Sequence, residues 1–223
     1  MLTNRLLCRT ARTSRGGFTL VELLVVIGII AILAGVALGP ITSGIKKGQQ
    51  SSGVQSARTL ALAEFQYSND NNQVYPFGTD ASKIADLLVT GGYVSDPGIF
   101  VISASKETKY TGSATTPVYA TSNVSWDFGQ TSTTAGLTAN APDEAPLVMS
   151  SGAAAAFGTG LATAGAITAT VGSTAPFGTA GIAVCFKSNS AKFIIAPLAT
   201  PGVTPVLDAS WPGYTMVMAI GGG

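Results

Sequence analysis

Apolar and polar positions divide this chain into two regimes. From Leu23 to Ile45 no charged residue occurs, and at about 1.5 Å per residue a helix over that run crosses a hydrocarbon layer of about 30 Å. The run predicts a membrane span over about residues 20–45. Beyond Lys46 and Lys47, the apolar positions Val54, Ala57, Ala61 and Phe65 recur at helical spacing. The helix is therefore predicted to continue from the span as an amphipathic stalk to about Tyr67, where Asn69-Asp70-Asn71-Asn72 breaks it. Asp80 to Thr90 predicts a short helix with Ile84, Leu87 and Leu88 inward and Gly91-Gly92 as its stop. The pattern then becomes strand-like at Ile99 to Ser103, Val118 to Phe128, Ala145 to Met149, Ile182 to Phe186, Lys192 to Ala196 and Tyr214 to Ile220. The pair that frames Lys187-Ser188-Asn189-Ser190 predicts a hairpin. Between these strands, Ser151 to Gly181 is an Ala-Gly-Thr tract with few large side chains and reads as a flexible surface loop.

Composition and charge sharpen that picture. The chain is 46% hydrophobic and only 10% charged, with a mean hydropathy of +0.40. Gly, Ala, Ser and Thr fill places usually held by Lys and Glu, which suits an exported or assembled protein better than a cytosolic enzyme. Arg5, Arg9, Arg12 and Arg15 precede the span with no acid before Glu22. The positive-inside rule then keeps the N-terminus cytoplasmic and sends the rest outward.

No histidine is present, which excludes histidine triads, HExxH zinc sites and the commonest general base. Walker and Rossmann glycine patterns are also missing from the sequence. The remaining enzymatic alternative is a two-carboxylate glycosidase drawn from Asp127, Asp143, Glu144 and Asp208. Acids in turns are more often plain surface residues. Asp70 and its neighbouring asparagines offer oxygens for calcium, but EF-hand spacing is lacking and turn chemistry explains them as well. No cofactor or metal is expected. Cys8 and Cys185 are the two cysteines, and Cys185 lies in an apolar strand pattern as a small buried hydrophobe.

At the near edge of the span stand two further features. Gly16-Gly17 interrupts the chain just before the apolar run, and Glu22 places a carboxylate where lipid makes it costly. Snorkelling to the headgroups is one reading of Glu22, and an unidentified partner is the other. A secretory signal also has a basic start and an apolar core, and Gly35-Val36-Ala37 passes for its cleavage site. That alternative explains neither Gly16-Gly17 nor the acid.

Gly17-Phe18-Thr19-Leu20-Val21-Glu22 resembles, at every position, the class III signal of the type IV pilin and type II secretion pseudopilin superfamily. The resemblance implies that a prepilin peptidase cuts after Gly17 and methylates the new amine of Phe18. It also implies that Glu22 pairs with the terminal amine of a neighbouring subunit during assembly. An unpaired carboxylate is expensive in lipid, so such a cation both neutralises it and sets the stagger. Cleavage removes four arginines and leaves eight basic against eleven acidic side chains, a formal −3 before the new amine. With no basic patch left, no nucleic acid partner is expected.

Asp70-Asn71 before Tyr75-Pro76, a short helix, and Gly92-Tyr93-Val94-Ser95-Asp96-Pro97 are similar to segments of pseudopilins and of the large pilin-like proteins of environmental bacteria. Those proteins usually carry Asp-Gly-His in the hairpin turn, where this chain has Lys187-Ser188-Asn189. Within the span, Ala31, Gly35 and Gly39 recur every four residues on one face, a stripe that lets helices approach closely; glycine is also simply common in membrane helices. Pro40 removes one helical hydrogen bond and is expected to kink or loosen the helix.

The expectation is an α+β, pilin-like fold: a cytoplasmic leader over 1–17, a long helix over 18–67, and an extracytoplasmic α+β head over 68–223 with a loop at about 151–181. Its function is that of a structural pilin or pseudopilin subunit, without catalysis. The expected partners are the membrane, the prepilin peptidase, other pilin or pseudopilin subunits and assembly platform proteins. Such a subunit sits singly in the inner membrane with a periplasmic head, and then in a pilus or pseudopilus. The alternative is a minor tip pilin that binds a ligand through exposed aromatics such as Trp126, Trp211 and Tyr214.

Overall fold

The computed structural model describes residues 17–112, 117–151 and 175–195, together with the backbones of short strands at 153–155, 167–171, 206–207 and 217–219. The chain divides into two units, Met1–Ile45 and Lys46–Gly223. Helix α1, Leu20–Asp70, is 51 residues long. In the first unit its large apolar side chains, from Leu20 to Ile45, are all exposed. Among the described residues this helix is long and apolar enough to cross a membrane.

In the second unit α1 buries a face made of Gly53, Ala57, Leu60, Ala61, Ala63, Glu64 and Ser68. Ala57 and Ala61 point inward as the apolar stripe predicts, but Phe65 is 49% exposed and its neighbour Glu64 is 1% exposed. The buried face is mostly small residues, so the helix backbone lies close to its neighbours and a bulky Phe65 is left on the flank. A Cβ at Gly53 would meet the Phe177 ring. The helix also outruns its expected end at Tyr67, because the Asn71 side chain donates to the Tyr67 carbonyl at 2.8 Å and caps it. Asn72 and Gln73 then take positive φ, 55° and 60°, and turn the chain.

Helix α2, Ala81–Thr90, begins where Asp80 accepts hydrogen bonds from the amides of Ser82 and Lys83. It ends in a Schellman motif: Gly92 adopts φ 77°, Tyr93 N donates to Leu88 O at 2.9 Å and Gly92 N to Val89 O at 3.0 Å. Ile84 and Leu88 are inward, whereas Leu87 is exposed. The predicted strand at Ile99 to Ser103 is instead a short 3-10 turn over Pro97–Phe100. Its cause is local: Asp96 accepts the Gly98 amide at 2.8 Å and Pro97 fixes φ in a turn value.

The main sheet is antiparallel throughout. Its strands are β1 (Trp126–Ser132), β2 (Ala135–Gly136), β3 (Pro146–Ser150), β6 (Gly181–Phe186), β7 (Ala191–Ile195) and β9 (Val217–Ala219). Phe128 pairs with both Val148 and Ala219, so β3 and β9 flank β1. The order across the sheet is β9-β1-β3-β6-β7, with β2 as a short hairpin return from β1. The expected β6–β7 hairpin forms, with Cys185 opposite Ala191 and Ile182 opposite Ile194. The expected strand at Val118 to Phe128 starts later, at Trp126, because Thr121–Asn123 forms a 3-10 turn. Of the strand expected at Tyr214 to Ile220, Val217–Ala219 is β9 and the remainder lies outside the described residues.

Within the Ala-Gly-Thr tract expected to be a loop, strands β4 (Ala153–Ala155) and β5 (Ile167–Val171) pair, and β5 pairs again with β8 (Val206–Leu207). Ladder hydrogen bonds run between backbones, so the three alanines of β4 pair without the large side chains that a hydropathy pattern reveals, whereas β5 carries an alternating Ile167-Thr168-Ala169-Thr170-Val171.

One core joins the outer half of α1, α2 and the sheet, with Leu60, Ile84, Leu88, Phe100, Trp126, Phe128, Met149 and Ile182 in its interior. Polar stitches hold the connections to it. The buried Gln130 amide accepts the Gly78 N–H and donates to the Gly78 carbonyl, both at 2.9 Å. Lys187 in the β6–β7 turn donates to the carbonyls of Ala139 (2.8 Å) and Ala141 (2.6 Å) and pairs with Asp143 at 3.3 Å. The turn thus anchors the segment that leads into β3.

Burial pushes the Asp80 carboxyl up, but the Ser82 and Thr79 hydroxyls and the Lys83 and Ser82 amides outweigh it and hold it below its ordinary 3.8. A depressed carboxyl contributes stability above its unfolded value and loses it as pH falls through the folded value. Asp80→Ala is expected to cost about 1 kcal/mol of stability at neutral pH, in guanidinium denaturation, with the deficit shrinking toward acid pH. An equal deficit at all pH values would assign the loss to packing.

Candidate functional site

Gly17, Phe18 and Glu22, singled out by sequence, gather at the start of α1. Gly17, Phe18 and Thr19 are exposed and non-helical, and helix begins at Leu20. Thr19 and Glu22 bond reciprocally. The Thr19 amide and hydroxyl donate to Glu22 Oε2 at 2.9 Å and 2.8 Å, while the Glu22 amide donates to Thr19 Oγ1 at 3.2 Å. With Leu23 N donating to Thr19 O at 3.3 Å, Thr19 is the N-cap and Glu22 the third helical residue of a capping box. Each partner satisfies a backbone donor that the first turn leaves without a helical acceptor. The positive end of the helix dipole favours an acid at this place.

Glu22 therefore has a partner within its own chain. The bonds converge on Oε2, and among the described residues Oε1 takes none. Sequence reasoning singled out Glu22 but not Thr19. The signal was present: Thr-x-x-Glu directly before an apolar run is a capping box signature.

The glycines of the two units differ in kind. At Gly17, Gly35 and Gly39 an added Cβ would meet nothing within 4 Å. In the second unit, a Cβ at Gly136 would collide with the Tyr75 carbonyl and one at Gly181 with the Ile194 carbonyl. The chain's own fold thus demands glycine at Gly136 and Gly181 but not at Gly17, Gly35 or Gly39. Ala31 is exposed with Gly35 and Gly39, and their spacing of four places all three on one side of α1. Pro40 stands inside α1, which is helical on both sides of it. The Thr42 and Ser43 hydroxyls donate to the Gly39 carbonyl at 2.9 Å and 3.1 Å.

Other candidates are placed differently. Trp126, expected on the surface of an adhesive head, is fully buried, and its indole Nε1 donates to the Ile99 carbonyl at 3.0 Å. That expectation is corrected: Trp126 leads strand β1, and its ring fills the core. Asp127 is buried beside it, whereas Asp143 and Glu144 are exposed. Asp208, Trp211 and Tyr214 lie outside the described residues. The Asp70 carboxylate accepts the Tyr93 hydroxyl at 3.0 Å, tying the end of α1 to the segment after α2. Among the described residues no three His, Cys, Asp or Glu side chains form a metal-sized group. Cys185 is buried, and that burial first, with the Glu64 charge second, pushes its thiol up to about 11.

No curated protein and no solved structure matches the chain. Residues 12–38 match the prokaryotic N-terminal methylation motif. The matched interval holds Gly17, Phe18, the Thr19–Glu22 capping pair, Ala31 and Gly35, and it stops short of Gly39 and Pro40. Its apolar helix fits anchoring in an inner membrane. On an α+β architecture of long N-terminal helix and antiparallel sheet, the chain carries the N-terminal processing signature of type IV pilins and pseudopilins.

Proposed function

We propose that this protein is a structural subunit, cut after Gly17 by a prepilin peptidase, methylated at Phe18, and polymerised through α1 into a type IV pilus or a type II secretion pseudopilus. The observation that carries the proposal is the methylation motif over residues 12–38, which falls on an exposed, non-helical Gly17-Phe18 directly ahead of an uncovered apolar helix. Before processing, the basic leader holds the N-terminus in the cytoplasm and the head enters the periplasm. The exposed span serves first as a membrane anchor and then as the subunit's contribution to a filament.

In this reading Glu22 presents a carboxylate already oriented by Thr19, and the amine of a neighbouring Phe18 binds the oxygen that Thr19 leaves open. An added Cβ at Gly35 or Gly39 would meet nothing within 4 Å, and Ala31 is exposed, which supports their use by neighbouring helices. Pro40 makes its turn the easiest to open, because the carbonyl four residues earlier has no N–H to receive. Assembly platform proteins extract the subunit from the membrane. No step is chemical catalysis by this chain. A tip adhesin is the less supported alternative, since Trp126 is unavailable to a ligand.

Mass spectrometry of the N-terminus from a membrane or sheared-filament fraction tests the proposal. A start at Phe18 with one methyl group is expected, and a start near Leu38 or an intact Met1 would overturn it. Gly17→Leu should block processing while leaving the fold unchanged, since that side chain enters open space; complete cleavage in cells with the peptidase contradicts the cut site. Glu22→Ala should be processed normally yet be missing from filaments, and wild-type incorporation would remove its assembly role. Thr19→Val should weaken the helix start by about 1 kcal/mol. That loss is read as roughly fivefold faster hydrogen exchange of the first-turn amides in micelles.

A further inference from the structure

The second carboxylate on α1 has no role in processing or assembly as described above. Glu64 is 1% exposed, and neither carboxylate oxygen has a hydrogen-bond partner. It stands in the middle of the buried face of the helix, one turn beyond Leu60 and Ala61 and one turn before Ser68. Mid-helix, its surrounding backbone amides are spent on the helix itself, so no first-turn donor is free as at Glu22.

Among the described residues no cation pairs with it. On α1, Arg58 is exposed. In the segment after α1, Tyr75 has its hydroxyl raised by burial first and by Glu64 second, with Asp143 adding to the same direction. On β6, Cys185 feels Glu64 in the same sense, opposed by Arg58. Among the described residues the ion pairs are Lys83–Asp86 and Lys187–Asp143, and neither includes Glu64. A bare carboxylate in such a place is far costlier than a neutral acid.

We propose that Glu64 is a proton-controlled latch between the outer half of α1 and the head: as a neutral acid it lets the helix lie in the core, and on ionising it drives that face of the helix outward. Burial raises the Glu64 carboxyl well above its ordinary 4.5. A raised acid contributes its stability in full below the unfolded value and loses it as pH rises toward the folded one. Through that window the folded state holds one proton more than the unfolded, so the folding constant falls tenfold per pH unit. The Cys185 thiol, at about 11, and the Tyr75 hydroxyl, above 10.0, stay neutral across neutral pH. Asp80 has the opposite sign and acts at acid pH, so the difference between wild type and a Glu64 variant isolates the latch.

The test uses the full chain in detergent micelles, with guanidinium denaturation from about pH 5 to pH 9. Relative to Glu64→Gln, the wild type is expected to lose folding constant as pH rises, approaching tenfold per unit, with hydrogen exchange over residues 53–68 opening in step. Glu64→Leu, which removes the polar group outright, should give the same pH-independent reference and serves if the glutamine variant does not fold. In the wild type at neutral pH, the infrared carbonyl band of a protonated carboxyl should be present, and this readout needs no variant. Parallel pH profiles for wild type and either variant, or absence of that band, would overturn the proposal.

Discussion

The close approach of the outer half of α1 to the head is the contact on which the second unit depends. Its buried face carries Gly53, Ala57, Ala61 and Ala63, with Leu60 as the one large apolar side chain. Small residues bring the helix backbone near, and the sheet and α2 supply the bulk from their side, through Ile84, Leu88, Trp126, Phe128 and Met149. Each large residue then fills space that a larger helix side chain would otherwise need. The same closeness shuts Glu64 away from the surface, 1% exposed and without a hydrogen-bond partner. Dense packing and an unsolvated acid are therefore two results of one geometric choice.

The first unit obeys another constraint. From Leu20 to Ile45 its apolar side chains have no cover within the chain, and lipid or another apolar helix covers them about equally well. Hydrophobicity alone thus sends the segment into a membrane without selecting a neighbour. In the proposed assembly, selection comes from features that lipid does not reward, namely the carboxylate of Glu22 and the small side of the helix at Ala31, Gly35 and Gly39. Glycine at Gly35 and Gly39 is not required by contacts within the chain. Gly136 and Gly181, by contrast, meet backbone carbonyls of their own fold, so their smallness is already accounted for.

What sequence revealed follows the range of the interactions involved. The motif at Gly17 to Glu22 and the apolar run are local, and both are legible in the sequence. The same holds for the Asp80 cap, the Gly91-Gly92 stop and the β6–β7 hairpin, which depend on neighbours a few residues away. Illegible features depended on distant contacts or on small residues. The inward face of α1 was placed through Phe65, because an alanine-rich helix offers little contrast and the largest apolar side chain draws the eye. Trp126 was read as surface because nothing nearby in sequence tells which side of a strand meets the core. In the Ala-Gly-Thr tract, β4 is three alanines and leaves no hydropathy trace, while the Ile167-Thr168-Ala169-Thr170-Val171 alternation of β5 is a local strand signal that the surrounding small residues dilute. The turn at Pro97 to Phe100 was a local signal, Asp-Pro-Gly, outweighed by the β-branched residues after it.

The two glutamates of α1 show how position along one helix decides the chemistry of a side chain. Glu22 lies in the first turn, where backbone amides lack helical acceptors and a threonine three residues earlier can return the bond. Its carboxylate is held by the chain and still has an oxygen to offer outward. Glu64 lies where every nearby amide is committed to the helix, and it faces packed side chains in place of open surroundings. A negative charge is therefore stabilised at the first position and opposed at the second, although the residue and the element are the same. A helix that began four residues later would strand Glu22 outside its first turn, and a rotation by one residue would bring Glu64 to the surface and bury Phe65. That Phe65, the more apolar of the pair, is nonetheless the one left exposed means that close packing by Ala57, Leu60 and Ala61 outweighs the burial of one aromatic ring. The acid is carried into the core by its neighbours and stays there only while it keeps its proton.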